Sequence, residues 1–373
     1  MAEPTQLRDV FNSPMIRAQA RRLKQAWGPF DQEGFLAAIL PKLQALSFGD
    51  RSKLITLQLH QHLPKDYPQA LAILLDSLPD ELKTENLSGQ EGNFILWPMT
   101  RYVSQYGIED FERSMQALKM MTKCFSAESD LRYFIQRYPQ KTLERLGEWA
   151  LDENLHVRRL VSEGIRPRLP LCMALPEFKR DPAPVLRLLE GLKEDPALYV
   201  RRSVANCLND IAKDNPDACV ETLQQWREIR TRSMDWIISH ALRSLIKQGH
   251  PGALALLGFT IDPKVEVEEF RILNDRLRLG TSMEFSFDLR STSEKEQHLV
   301  VDFVIHFVKK SGKLAPKVFK LSTKHLAAGD CLSFAKAYLL VQRSTRVHYP
   351  GLHRLEIQVG GQILAGLDFT LEF

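Results

Sequence analysis

The chain has 373 residues, 26% charged and 44% hydrophobic, with a formal net charge of +4. That length exceeds what one hydrophobic core usually fills, so two domains are expected; the mild charge permits a nucleic-acid partner, which needs only a local basic surface. Cys124, Cys172, Cys207, Cys219 and Cys331 are odd in number and never form a CxxC pair, which argues against a disulfide framework and a zinc knuckle and fits a reducing compartment.

The N-terminal stretch MAEPTQLRDVFNSPM has no apolar h-region, and no run approaches ~18 uninterrupted apolar residues. No membrane partner is expected, and the expected location is the cytoplasm. HExxH, Walker, GxSxG and GxGxxG motifs are all absent, which takes weight from metal-, nucleotide- and triad-based enzymes. His60 and His62 are two apart and share no helical face, so no metal site is expected.

Up to about Gly258 the periodicity is helical. Stop signals stand at Tyr106-Gly107, Asn215-Pro216 and Gly249-His250-Pro251. Glu128 lies at an expected helix start, where the helix dipole alone favours an acid. From His156 to Pro170 the chain reads His-Val-Arg158-Arg159-Leu-Val-Ser-Glu163-Gly-Ile-Arg166-Pro-Arg168-Leu-Pro, with four arginines around one acid. Arginines of this density suit phosphates; equally, Arg159 and Glu163 at i,i+4 make an ordinary surface ion pair.

The segment Asp152–Val161 recurs 43 residues later as Asp195–Val204, and a weaker copy runs through Trp236–Leu245. Repeats of this length built on paired helices read as a HEAT-like solenoid. In the second copy Val200, Val204, Cys207, Leu208 and Ile211 form one stripe, while Arg202, Asn206 and Asp210 form a polar row. Glu163 shifted by the repeat length falls on Asn206, one turn before Asp210, so the two acids are expected to face a shared groove or a solvated helix surface. Trp97, Trp149, Trp226 and Trp236 are expected in the core or as groove wall.

Beyond Pro263 the period becomes two. Met283–Leu289 and Val301–Phe307 alternate, shorter runs follow at residues 317–321, 331–336 and 352–359, and Gly360-Gly361 reads as a two-residue hairpin turn. Six or seven strands in ~110 residues suggest an antiparallel sandwich of immunoglobulin type. The expected fold class is therefore an all-α HEAT-like repeat solenoid over residues 1–260 followed by a small all-β immunoglobulin-like sandwich over 261–373.

The same segments resemble the AlkC family of DNA alkylation-repair glycosylases, relatives of AlkD. The likeness rests on Ile95–Thr100 with Tyr106-Gly107, Val157–Pro170, Tyr199–Asn206 with Asn209–Pro216, Trp236–Arg243, Val301–Lys309 and His348–Arg354. Glu163-Gly-Ile-Arg-Pro-Arg-Leu-Pro is its most specific run. The resemblance implies hydrolysis of the N-glycosidic bond of cationic methylated bases, of 3-methyladenine and 3-methylcytosine type, in duplex DNA, with the base left in the stack. It assigns catalysis to Glu128, Glu163 and Asp210, with no cofactor. The expected DNA contacts are Arg158, Arg159, Arg166, Arg168, Arg202 and Arg243, with Arg343 and Arg346 from a basic loop of the β domain. A monomer is expected.

Three departures from the family pattern stand out. Leu171 occupies the place of a tryptophan after Arg-Leu-Pro, Glu128-Ser-Asp-Leu-Arg132-Tyr-Phe replaces Glu-Phe-Ala-Ile-Arg-Pro-Phe, and residues 335–341 match poorly. The rival readings are a non-catalytic DNA-structure binder and a HEAT-type protein scaffold. A salt titration separates the scaffold from the other two: contacts by several arginines require duplex affinity to fall steeply with salt, roughly 0.9 in log–log slope per phosphate, whereas a protein scaffold gives weak, salt-insensitive binding.

Overall fold

The computed structural model describes residues 7–85, 91–342 and 346–373. Its described residues form fifteen α-helices, from Ser13–Ala26 to Pro251–Leu256, followed by eight strands. The fold class is that expected from sequence: helical repeats, then an all-β domain. Helix starts follow from local chemistry. Asn12, Asp31, Ser47, Asp66 and Asp110 each accept a hydrogen bond from the backbone N–H three residues on, satisfying a donor that the first turn leaves open.

The repeat is visible down to individual hydrogen bonds. Before helix Leu155–Gly164, Asp152 Oδ1 accepts from the Asn154 amide at 2.8 Å. Before helix Leu198–Ile211, Asp195 Oδ1 accepts from the Ala197 amide at 2.9 Å. Arg158 Nη1 donates to the Asp152 and Glu153 carbonyls, and Arg201, its counterpart one repeat on, donates to those of Asp195 and Pro196. Each acid also takes a cation from the preceding repeat: Lys119 reaches Asp152, and Arg158 reaches Asp195. The inner stripes Val157, Leu160, Val161 and Val200, Val204, Cys207, Leu208 are buried.

The β domain is a sandwich. Strands β1 (Val265–Ile272), β2 (Arg276–Arg278), β3 (Ser282–Ser291), β4 (Gln297–Val308), β5 (Leu314–Leu326), β6 (Cys331–Leu339), β7 (Gly351–Val359) and β8 (Gln362–Glu372) form two sheets. Their orders are β1-β3-β6 and β2-β8-β7-β4-β5. Met283, Phe285, Phe287 and Leu289 of β3 meet Leu299, Val301, Phe303, Ile305 and Phe307 of β4 in the core. The other face of β4 is buried too, at Val300, Asp302 and Val304, so this strand reads as a nearly continuous apolar run. The three-residue β2, which pairs parallel to β8, is too short to show a period in sequence. The hairpin at Gly360-Gly361 forms as expected, joining Val359 to Gln362. Both glycines have positive φ, and a Cβ on Gly361 would stand 2.3 Å from the Gly249 Cα.

Compactness divides the chain upstream of the change in periodicity at residues 260/261. One unit comprises the chain to Asn215 with Ile229–His240; the other comprises Pro216–Glu228 and Ala241–Phe373. The reason lies in contacts that tie the last helices to the strands. Lys247 Nζ donates to the Val318 carbonyl, Gln358 Nε2 to the Lys247 carbonyl, and the Thr260 amide to the His298 carbonyl. Among the described residues no helix is long and apolar enough to cross a membrane.

Asp302 is 1% exposed, and neither carboxylate oxygen has a hydrogen-bond partner among the described residues. Burial pushes its pKa up to about 6, against the pull of Lys247 and Lys320. Because the folded-state value lies above the unfolded one, the protonated carboxyl favours the fold, and that benefit is lost as pH rises through about 6. Asp302→Asn is therefore expected to raise the melting temperature relative to wild type at about pH 8, by the equivalent of about 2–3 kcal/mol, with no gain at about pH 4. Thermal melts of both proteins across that range check it.

Candidate active site

The sequence places a strong concentration of arginines around Glu163, and the fold explains how they coexist with buried acids. Helix Leu155–Gly164 ends where Gly164 lets helix Leu131–Arg137 approach, since a Cβ there would stand 2.5 Å from Leu131 Cδ2. The fully buried Arg132 locks this corner by donating to the carbonyls of Gly164 at 2.9 Å and Met173 at 2.7 Å. Burial lowers its pKa to about 10. The loop that follows is closed by the Leu175 amide on the Pro167 carbonyl.

Within this frame Glu128, Glu163 and Asp210 are brought together through three cations in alternation. Arg159 Nη1 lies 2.5 Å from Glu128 Oε2, and its Nη2 lies 3.5 Å from Glu163 Oε1. Arg166 then bridges two acids, with Nη1 donating to Glu163 Oε1 at 2.6 Å and Nε to Asp210 Oδ2 at 2.9 Å. Lys213 Nζ completes the row at 2.9 Å from Asp210 Oδ1. Glu163 and Asp210 are 6% and 2% exposed. Ser203 Oγ donates to the second oxygen of Glu163, and Ser126 Oγ to Glu128.

Burial alone would raise the pKa of Glu163. The charges of Arg159 and Arg166, with hydrogen bonds from Ser203 and Arg166, outweigh it and hold the carboxyl below its ordinary range. Burial likewise works against the charge of Arg159, but Glu128 and Glu163 prevail and hold it protonated, with the guanidinium 5.0 Å over the Tyr199 ring. Arg159, Glu163 and Arg166 are thus charged groups held in place by one another before any ligand arrives.

The arginines named from sequence divide into different tasks. Arg158 grips Asp195 with Nε and Nη2 and two carbonyls with Nη1, so four of its five N–H donors serve the repeat. Arg168, 41% exposed, forms a two-point pair with Asp214. Arg159 and Arg166 lie among the acids as described. Arg202 is exposed, with no hydrogen bond or ion pair among the described residues. Arg243 is half-buried in the second compact unit. Arg343 lies outside the described residues. Arg346 sits 4.5 Å over the Phe307 ring, donates to the Tyr338 hydroxyl, and lines a concavity with Lys309, Lys310 and Lys317.

Glu128 lies in the turn before helix Leu131–Arg137, outside its first turn, so the helix dipole does not account for it. Trp149 and Trp226 are core, whereas Trp236 is half-buried and stacks on His240, whose Nε2 lies 3.2 Å from Asn206 Oδ1. Leu171 follows Pro170 with φ 64° and 69% exposure. An apolar residue held there in the left-handed region is strained and open to solvent. Sequence reasoning missed Arg132, Ser203 and Lys213; only Lys213, one turn beyond Asp210, extends a polar row legible beforehand. Among the described residues no group of three or more His, Cys, Asp or Glu is arranged to hold a metal.

Arg166→Ala would strand two buried carboxylates without their common cation. It is expected to destabilise the helical unit by about 3–5 kcal/mol, measurable by urea denaturation.

Comparison with known proteins places this geometry. The family model described as "Uncharacterised protein YhaZ, C-terminal Ig-like domain" matches residues 266–373. The chain is 35% identical to the uncharacterized protein YhaZ of Bacillus subtilis over 366 residues, 98% of this chain and 99% of that protein. It also superimposes on the Pseudomonas fluorescens alkylpurine DNA glycosylase AlkC, solved bound to DNA containing an abasic site analog. That match has a TM-score of 0.88 and 38% identity, covering 99% of this chain and 100% of the other. The chain therefore belongs to the family of YhaZ and AlkC, the AlkC family of DNA alkylation-repair glycosylases.

Proposed function

We propose that this protein is a monofunctional DNA N-glycosylase that excises cationic alkylated bases, of 3-methyladenine and 3-methylcytosine type, from duplex DNA. The observation that carries the reading is the alternating row Glu128–Arg159–Glu163–Arg166–Asp210–Lys213. It is set in a chain that matches an alkylpurine DNA glycosylase from end to end.

The chemistry suits such a substrate. A base that already bears positive charge departs as a neutral molecule, so no general acid is required. The barrier lies in the electron-poor sugar left behind, and preorganised carboxylates near C1′ stabilise an oxocarbenium-like transition state without reorganising. One carboxylate oxygen also orients the water that adds to C1′ and accepts the proton that the water sheds to solvent through it. Charged groups fixed on helices do this for a base still in the stack, so extrusion of the nucleotide is not needed. Arg202, with Arg166, Arg168, Arg243, Arg343 and Arg346, supplies the phosphate contacts, and the protein acts as a monomer in the cytoplasm. The helical region up to residue 260 carries the chemistry, and the β domain from 261 adds DNA contacts.

Base release from DNA treated with a methylating agent, in the presence of a chelator, tests the reading. Wild type is expected to release methylated base, while Glu163→Gln and Asp210→Asn lose at least about 100-fold in single-turnover rate and still bind abasic-site duplex. A wild-type protein that binds duplex DNA but releases no base would be a DNA-structure binder, the reading that Leu171 in place of an aromatic residue favours.

A further inference from the structure

One member of the charged row differs in kind from the rest. Arg166 is 11% exposed and held by two acids, whereas Lys213 is 40% exposed and makes a single-point contact with Asp210. Asp210 itself is 3% exposed at the side chain. Its Oδ2 is taken by Arg166, which leaves Oδ1, the oxygen under Lys213, as the one that a ligand can reach without breaking the buried bridge. Lys213 stands just past the end of helix Leu198–Ile211, on the row that begins with the exposed Arg202 and continues through Asn206 and Asp210. Arg202 lies about 12 Å before Asp210 along that helix, at 1.5 Å per residue. Two solvent-facing cations thus bracket a buried carboxylate.

An ammonium 2.9 Å from a carboxylate cancels much of the field that the carboxylate can exert on a positive sugar. Lysine is also the side chain suited to leave: a compact, hydrated charge on a flexible stem, in a partly exposed pair that is weak and screened by salt. A DNA phosphate is a stronger competitor for it, since its transfer releases condensed counterions.

We propose that Lys213 is a positioning residue that covers Asp210 Oδ1 in the free protein and moves to a backbone phosphate when DNA binds, uncovering that oxygen for the sugar. Binding and activation are thereby one event: Asp210 Oδ1 loses its lysine cover only against a bound duplex. The inference rests on the glycosylase reading for the use of the uncovered oxygen, but the movement of Lys213 is measurable independently.

The test uses Lys213→Met and Lys213→Arg beside wild type, with thermal melts to establish that each is folded. Affinity for duplex DNA containing an abasic-site analog is measured over a range of salt, and single-turnover base release is measured at saturating protein. The expected result for Lys213→Met is a several-fold weaker affinity and a log–log salt slope shallower by about 0.9, one phosphate contact. Its saturated excision rate should fall by less than its affinity. Lys213→Arg is expected to restore the slope. An unchanged slope in Lys213→Met, or a saturated rate that falls tenfold or more beside intact affinity, would show the lysine still seated on Asp210 in the complex and overturn the proposal. Should wild type release no methylated base, the glycosylase reading fails, while the slope on abasic-site duplex still decides whether Lys213 leaves Asp210.

Discussion

Everything at the site depends on Arg166, a single guanidinium that lies between two buried carboxylates from successive repeats. Glu163 and Asp210 are nearly sealed from water, and two such charges side by side would cost far more than any packing around them returns. Arg166 removes the conflict because its planar fork presents separate donors to each. The surrounding loop is shaped to keep it there. Gly164 admits the neighbouring helix, Arg132 ties the Gly164 and Met173 carbonyls together, and Ser203 satisfies the second oxygen of Glu163.

Holding charges ready carries a conformational burden, and the chain spreads it over arginines with different duties. Arg158 and Arg168 face acids of the next repeat, Asp195 and Asp214; the buried Arg158 pair sets how consecutive helices sit, while Arg168 keeps much of its side chain in solvent. Arg159 is pinned by two acids and an aromatic face. Arg202, by contrast, is exposed and has no such partner among the described residues. A dense arginine motif is therefore not one surface but a mixture of clasp, bridge and outward-facing contact. The mixture is what lets an acidic cluster and an exposed cation occupy the same helices.

Much of this was legible in the sequence, for reasons that can be stated. The repeat showed because Asp152 and Asp195 perform the same turn-closing hydrogen bond, which constrains the residues around them alike. The strands of the β domain showed because Phe285, Phe287, Phe303 and Phe307 alternate into one core. What stayed hidden was mostly long-range. Nothing local marks Arg132 as the lock on Gly164, 32 residues away, or Ser203 as a donor to Glu163, 40 residues away. The edge of the compact units was hidden for the same reason. The helices after Pro216 look like their predecessors, and only distant partners show where they belong: Arg227 donates to the Leu256 carbonyl, and Lys247 is tied to the strands.

The acids occupy positions that the repeat does not make equivalent. One repeat on from Glu163 stands Asn206, engaged with His240, and one repeat back from Asp210 stands Pro167. No single repeat therefore contains both acids, and copying one would not copy the cluster. Solenoids drift readily by gaining or losing a repeat, because each unit needs only its neighbours. Here such an event between Glu163 and Asp210 would leave a well-packed helical stack with the Arg166 bridge broken and two buried carboxylates parted from their shared cation, so this one pair of neighbouring repeats is tied together by charge where packing alone would leave the count free to vary.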